Sequence, residues 1–139
     1  MTRKEFIAVL GVGAAVATCT ACLTGCKPQD TIAAPPTNVD FTLNLGDGGI
    51  ASGLNGTGYY NNGIIVVKTS NGNYVAVSST CTHQGSTVFY DRNGNRFYCP
   101  SHGSAFNTNG GVIQGPASSP LAKYKTTLIN NGASLRVQS

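Results

Sequence analysis

Two short stretches constrain this chain more than any others: Cys81-Thr82-His83-Gln84-Gly85 and Cys99-Pro100-Ser101-His102-Gly103. Each supplies a cysteine, then a histidine, then a glycine. Thiolate and imidazole are the ligands of soft and borderline metals and of iron–sulfur centres, so the fold must set these two stretches side by side. The segment between them has the means. Asp91-Arg92-Asn93-Gly94 separates two β-forming runs, 87–90 and 95–98, and reads as the turn of a hairpin. A hairpin with both stretches at one end places Cys81-x-His83 beside Cys99-x-x-His102.

The rest of the chain reads as short strands. Residues 39–45 alternate, with Val39, Phe41, Leu43 and Leu45 on one face of a half-buried strand. Residues 46–58 hold many glycines and read as a loop with at most a short bend. Runs 63–70 and 73–79 flank Asn71-Gly72, a two-residue hairpin signal. Residues 111–114 form another short strand, 115–120 are too rich in Pro, Ser and Gly for a regular element, and 121–129 with 133–138 make a last hairpin. The expectation is eight or so strands and no helix: an all-β domain, a small antiparallel sandwich or barrel with the Cys/His hairpin as a subdomain. At 139 residues there is room for one domain. The net charge of +4 is scattered, without the basic stripe of a nucleic-acid surface.

The first residues differ in kind. Arg3 and Lys4 precede an uncharged apolar run from 6 to 22, the parts of a secretory signal. Leu23-Thr24-Gly25-Cys26 then resembles the lipobox of bacterial lipoproteins. That resemblance implies a signal peptide over 1–25 and a lipid on Cys26. A tether over 26–38, with Pro28, Pro35 and Pro36, would then lead to a domain over 39–139. An uncleaved span over 6–25 is the competing reading, although it is rich in Ala, Gly and Thr and short of Leu and Ile. Either way the domain is expected in the cell envelope, attached to a membrane and facing the periplasm or exterior. Thr2-Arg3-Lys4-Glu5-Phe6-Ile7 also resembles a twin-arginine export signal, with lysine for the second arginine. Cys19 and Cys22 fall in the discarded segment, leaving Cys81 and Cys99 to the mature domain.

The spacing of Cys81-x-His83 and Cys99-x-x-His102, together with Pro100, Gly103, Ser104 and Gly115-Pro116-Ala117, resembles the Rieske family. The resemblance covers about 39–139. It implies a [2Fe–2S] cluster with Cys81 and Cys99 on one iron and His83 and His102 on the other. It also implies a proline loop over 115–120, including Pro116, that covers the cluster. Gly85 and Gly103 are expected to free the backbone near it. A structural zinc module of two Cys and two His is the remote alternative, although Cys-x-His is tighter than the usual zinc pairing.

Departures from the respiratory members sharpen the expectation. Those members, in cytochrome bc complexes, bridge the two loops with further cysteines where this chain has Ser86 and Ser101. They often set a serine and a tyrosine as donors to cluster sulfur; Ser104 matches the first and Phe106 replaces the second. Gln84 stands where they usually have an apolar residue beside the exposed histidine. The expected function is therefore a membrane-tethered one-electron carrier of lowered potential, acting on no substrate alone and working with a redox protein partner. A quinol-oxidising subunit of a respiratory complex is the alternative. No nucleic-acid partner is expected.

Overall fold

The computed structural model describes residues 31–139. The signal-peptide, lipidation and export expectations, Cys26 included, lie outside the described residues. Among the described residues, no helix is long and apolar enough to cross a membrane.

The described residues form ten short strands in two antiparallel sheets. In chain order they are β1 (Asp40–Asn44), β2 (Tyr59–Asn61), β3 (Ile64–Lys68), β4 (Tyr74–Ser78) and β5 (Phe89–Asp91). There follow β6 (Arg96–Tyr98), β7 (Ala105–Phe106), β8 (Val112–Gln114), β9 (Lys123–Ile129) and β10 (Ser134–Gln138). The larger sheet has the order β1-β10-β9-β4-β3-β2 and the smaller β5-β6-β7-β8. The expected all-β architecture with a separate Cys/His hairpin lobe is the one observed.

The β3–β4 hairpin is the wall shared by two cores. Ile65, Val67, Val75 and Val77 face a core that contains Cys81, Cys99, Tyr90, Phe97 and Phe106. Ile64, Val66 and Ala76 face the other, with Leu43, Leu54, Tyr124, Leu135 and Val137. Both faces of β3 are covered, which is why Ile64-Ile65-Val66-Val67 lacks the polar alternation seen in β1. Its turn departs from the two-residue expectation. Thr69 N–H bonds Asn73 O, Gly72 N–H bonds Thr69 O, and Gly72 alone of the turn has positive φ. This is a three-residue loop with a glycine bulge rather than an Asn-Gly type I′ turn.

The loop expected over 46–58 contains a helix, α1 (Gly48–Asn55). Glycine count misled here for two physical reasons. Asp47 Oδ1 caps the helix by accepting from Gly49 and Ile50 N–H at 2.9 and 3.2 Å. Ile50 and Leu54, four residues apart, then lie on one face and join the core behind β3. Gly53 is there for proximity: a Cβ on it would sit 3.2 Å from that of Tyr59. Pro36, within the stretch read as tether, already touches the domain, its carbonyl accepting from Tyr124 Oη at 2.8 Å.

Candidate metal centre

Three loops at one end of the smaller sheet build the site: 79–88 between β4 and β5, 99–104 between β6 and β7, and 115–122 between β8 and β9. The first two are near-copies in backbone. Cys81 N–H donates to Ser86 O at 2.7 Å and Gly85 N–H to Cys81 O at 2.9 Å. Cys99 N–H donates to Ser104 O at 2.8 Å and Gly103 N–H to Cys99 O at 2.9 Å. Each loop thus closes on itself with its glycine at the same step, at φ +80° in Gly85 and +84° in Gly103. Room is not what selects glycine, since a Cβ would meet nothing nearer than 4.0 and 3.7 Å. The left-handed backbone is, because it strains any other residue.

These turns bury both thiols and bring the imidazoles together. Cys81 and Cys99 are each 1% exposed and share one core with Phe106. The rings of His83 and His102 stand edge to face with centroids 4.8 Å apart. His102 is exposed and His83 half-buried, yet His83 Nδ1 is itself buried and has no hydrogen-bond partner. An orphaned buried nitrogen is costly, and a metal ion at that atom removes the cost. Burial pushes the Cys81 thiol pKa up, His83 N–H pulls it down, neighbouring Cys99 raises it and the Ser104 hydroxyl lowers it. Groups that favour the charged form of Cys81 suit a bound thiolate. Among the described residues no three Cys, His, Asp or Glu side chains converge on one ion. A pair of irons taking two protein ligands each does not require that.

The third loop is fastened to both of the others. Ser104, fully buried, accepts from Ala117 N–H at 2.9 Å. Thr82 Oγ1 donates to Ser119 O at 2.6 Å, and Gln114 Nε2 donates to Gly103 O at 2.8 Å. Pro116 follows a cis peptide at the head of this loop. Ser101 Oγ donates to Ser86 Oγ at 2.8 Å, so the two serines read as replacing a bridge do face each other. The roles of Thr82, Gln114 and Ser119 were absent from the sequence reading. Nothing in their own neighbourhoods signals them, because each bond joins segments that meet only in the folded chain.

Comparison with known proteins agrees with this geometry. The family model for the Rieske [2Fe-2S] domain matches residues 49–125. The cytochrome b6-f complex iron-sulfur subunit of Prochlorococcus marinus (strain MIT 9515) is 35% identical over 100 residues, 70% of this chain and 54% of that protein. The chain therefore spans about half the length of that relative. The corresponding subunit of Chlorobaculum tepidum is 33% identical over 132 residues, 91% of this chain and 70% of the relative. Among solved structures, the plasma membrane Rieske protein PetC3 of Synechocystis PCC 6803 aligns with a TM-score of 0.51 and 35% identity. That match covers 60% of this chain and 84% of the other. A ferredoxin of Sphingomonas yanoikuyae B1 aligns at 0.53 with 17% identity, over 76% and 99% of the two chains, which is likeness of fold alone.

Proposed function

This chain belongs to the Rieske [2Fe–2S] family, its cofactor is a [2Fe–2S] cluster, and on that premise we propose that it is a one-electron carrier held outside the cytoplasm by a lipid on Cys26. In this reading Cys81 and Cys99 hold one iron and His83 and His102 the other. Bound by two thiolates and two neutral imidazoles, such a cluster takes up and releases one electron at a potential within about −150 to +300 mV. The observation that carries the ligand assignment is the buried, partnerless Nδ1 of His83 beside the ring of His102 and next to the buried thiol pair.

The chain's own groups prepare the site. Gly85 and Gly103 turn the backbone so that both loops present the same hydrogen-bonded frame. Ser104 accepts from Ala117 N–H, which ties the proline loop headed by Pro116 to the second cysteine loop, and its hydroxyl favours the charged form of Cys81. The proline loop, tied also through Ser119, excludes water from the cysteine side. Exposed His102 leaves a short path to a partner.

A second reading has support of its own: the relatives that match at 33% and 35% identity are named as subunits of cytochrome b6-f complexes. Against a quinol-oxidising role stand polar, exposed Gln84 beside His83 and Phe106 without a hydroxyl. Fractionation of cells expressing the full chain tests the carrier and its anchor together. The intact chain is expected in membranes, coloured and giving an EPR signal on reduction; Cys26→Ala is expected in the soluble envelope fraction with the same spectrum. A Cys26→Ala protein that stays in membranes would replace the lipid by a spanning segment. Stoichiometric co-purification of cytochrome b with the intact chain would favour the complex subunit.

A further inference from the structure

We propose, building on the electron-carrier reading, that electrons enter and leave through an uncharged, hydrogen-bonding face around His83 and His102. The partner is then a protein whose docking face is likewise uncharged and polar.

The distribution of charge carries the proposal. The charged side chains of the described residues are Asp40, Asp47, Lys68, Asp91, Arg92, Arg96, Lys123, Lys125 and Arg136. None falls within 69–90 or 97–122, the two stretches that contain all three loops of the site. The exposed side chains of the three loops are polar and uncharged, among them Gln84, Thr87, Ser101, Ser118 and Ser119, with exposed glycines and prolines between them. The nearby charges are also occupied elsewhere. Arg96 pairs with Asp91 at 3.2 Å, Lys123 Nζ donates to Asn109 Oδ1 at 2.6 Å, and Arg92 donates to the carbonyls of Asn55 and Lys68.

Such a face selects its partner by what it fails to compensate. A carboxylate or ammonium buried against hydroxyl and amide groups loses hydration without gaining a counter-charge, which disfavours acidic and basic docking faces alike. A polar neutral face instead exchanges water for Ser and Gln hydrogen bonds, directly or through bridging water. Thr82–Ser119, Ser104–Ala117 and Gln114–Gly103 hold the loops together beforehand, so little reorganisation is added on docking. Without charge steering, association proceeds at the neutral rate of about 10⁵–10⁶ M⁻¹s⁻¹ and is insensitive to salt.

The test is stopped-flow oxidation of the reduced, cluster-loaded full chain by two probes of opposite charge, hexacyanoferrate(III) and tris(phenanthroline)cobalt(III). Between roughly 0.05 and 0.5 M ionic strength both rate constants are expected to change by less than about twofold. Gln84→Lys, and independently Ser118→Lys, are expected to make the anion several-fold faster and the cation slower at low salt. Lys125→Glu, on the exposed side of β9, is expected to change neither. A wild-type rate with the anion that falls tenfold with salt, and loses that dependence in Lys125→Glu, would overturn the uncharged face while leaving the carrier reading intact. So would tip lysines that do nothing in loaded protein. Wild-type protein that cannot be loaded with a cluster would overturn the carrier reading itself, and the docking face with it.

Discussion

At the scale of single residues, Ser104 and Phe106 decide how the site is tuned. Ser104 accepts from Ala117 N–H and its hydroxyl favours the charged form of Cys81, so Ser104→Ala leaves Ala117 N–H buried without a partner and removes that influence on the thiolate. The expected cost is about 1–3 kcal/mol of stability, read from the urea midpoint, together with a lower midpoint potential in protein-film voltammetry. Phe106→Tyr works in the opposite direction. Its ring is fully buried in the core that holds both cysteines, and an added hydroxyl there stabilises the more negative, reduced state. A bond worth about 1 kcal/mol more in that state raises a one-electron potential by roughly 40 mV. An unchanged or lowered potential would refute it. Both residues were legible in the sequence because they stand at fixed steps after Cys99. The Thr82–Ser119 bond was not, since its ends are 37 residues apart and meet only when the proline loop folds over the first loop.

At the scale of elements, periodicity found the strands and composition missed the helix. β1 alternates because one of its faces is open, while β3 does not because both are covered; either pattern is readable once the two cores are known. α1 has three glycines in eight residues and so resembles a loop by propensity. Its existence rests on local and tertiary terms: the Asp47 cap, the Ile50 and Leu54 face, and the close approach at Gly53. Asp47→Ala should therefore cost more than an ordinary surface change, about 1 kcal/mol and within 0.5–2. Because α1 backs the second core rather than the first, urea melts should show this loss with the visible spectrum of the folded protein unchanged. A bleached spectrum in the native variant would mean that α1 supports the site after all.

At the scale of the whole molecule, the two sheets are joined by tyrosine hydroxyls as well as by the shared hairpin. Tyr60 on β2 donates to Val88 O in the first cluster loop at 2.9 Å, and Ser70 N–H donates to Tyr90 Oη on β5 at 3.0 Å. Only the protonated phenol of Tyr60 can make its bond. Burial, and secondarily the nearby Tyr98, push its pKa from 10.0 up to about 12. A folded-state value above the unfolded one means that the folded chain keeps a proton the unfolded chain has lost. The contribution to stability is complete below pH 10.0 and is lost as pH rises from there to about 12. Tyr124, whose pKa burial also raises, adds to the same decline. Tyr60→Phe should lower stability by roughly 1 kcal/mol at neutral pH and make the alkaline decline shallower, without abolishing it. Urea midpoints of the two proteins, compared at each pH by far-ultraviolet circular dichroism, measure this directly. Parallel curves would show that the link between the sheets does not depend on the Tyr60 proton.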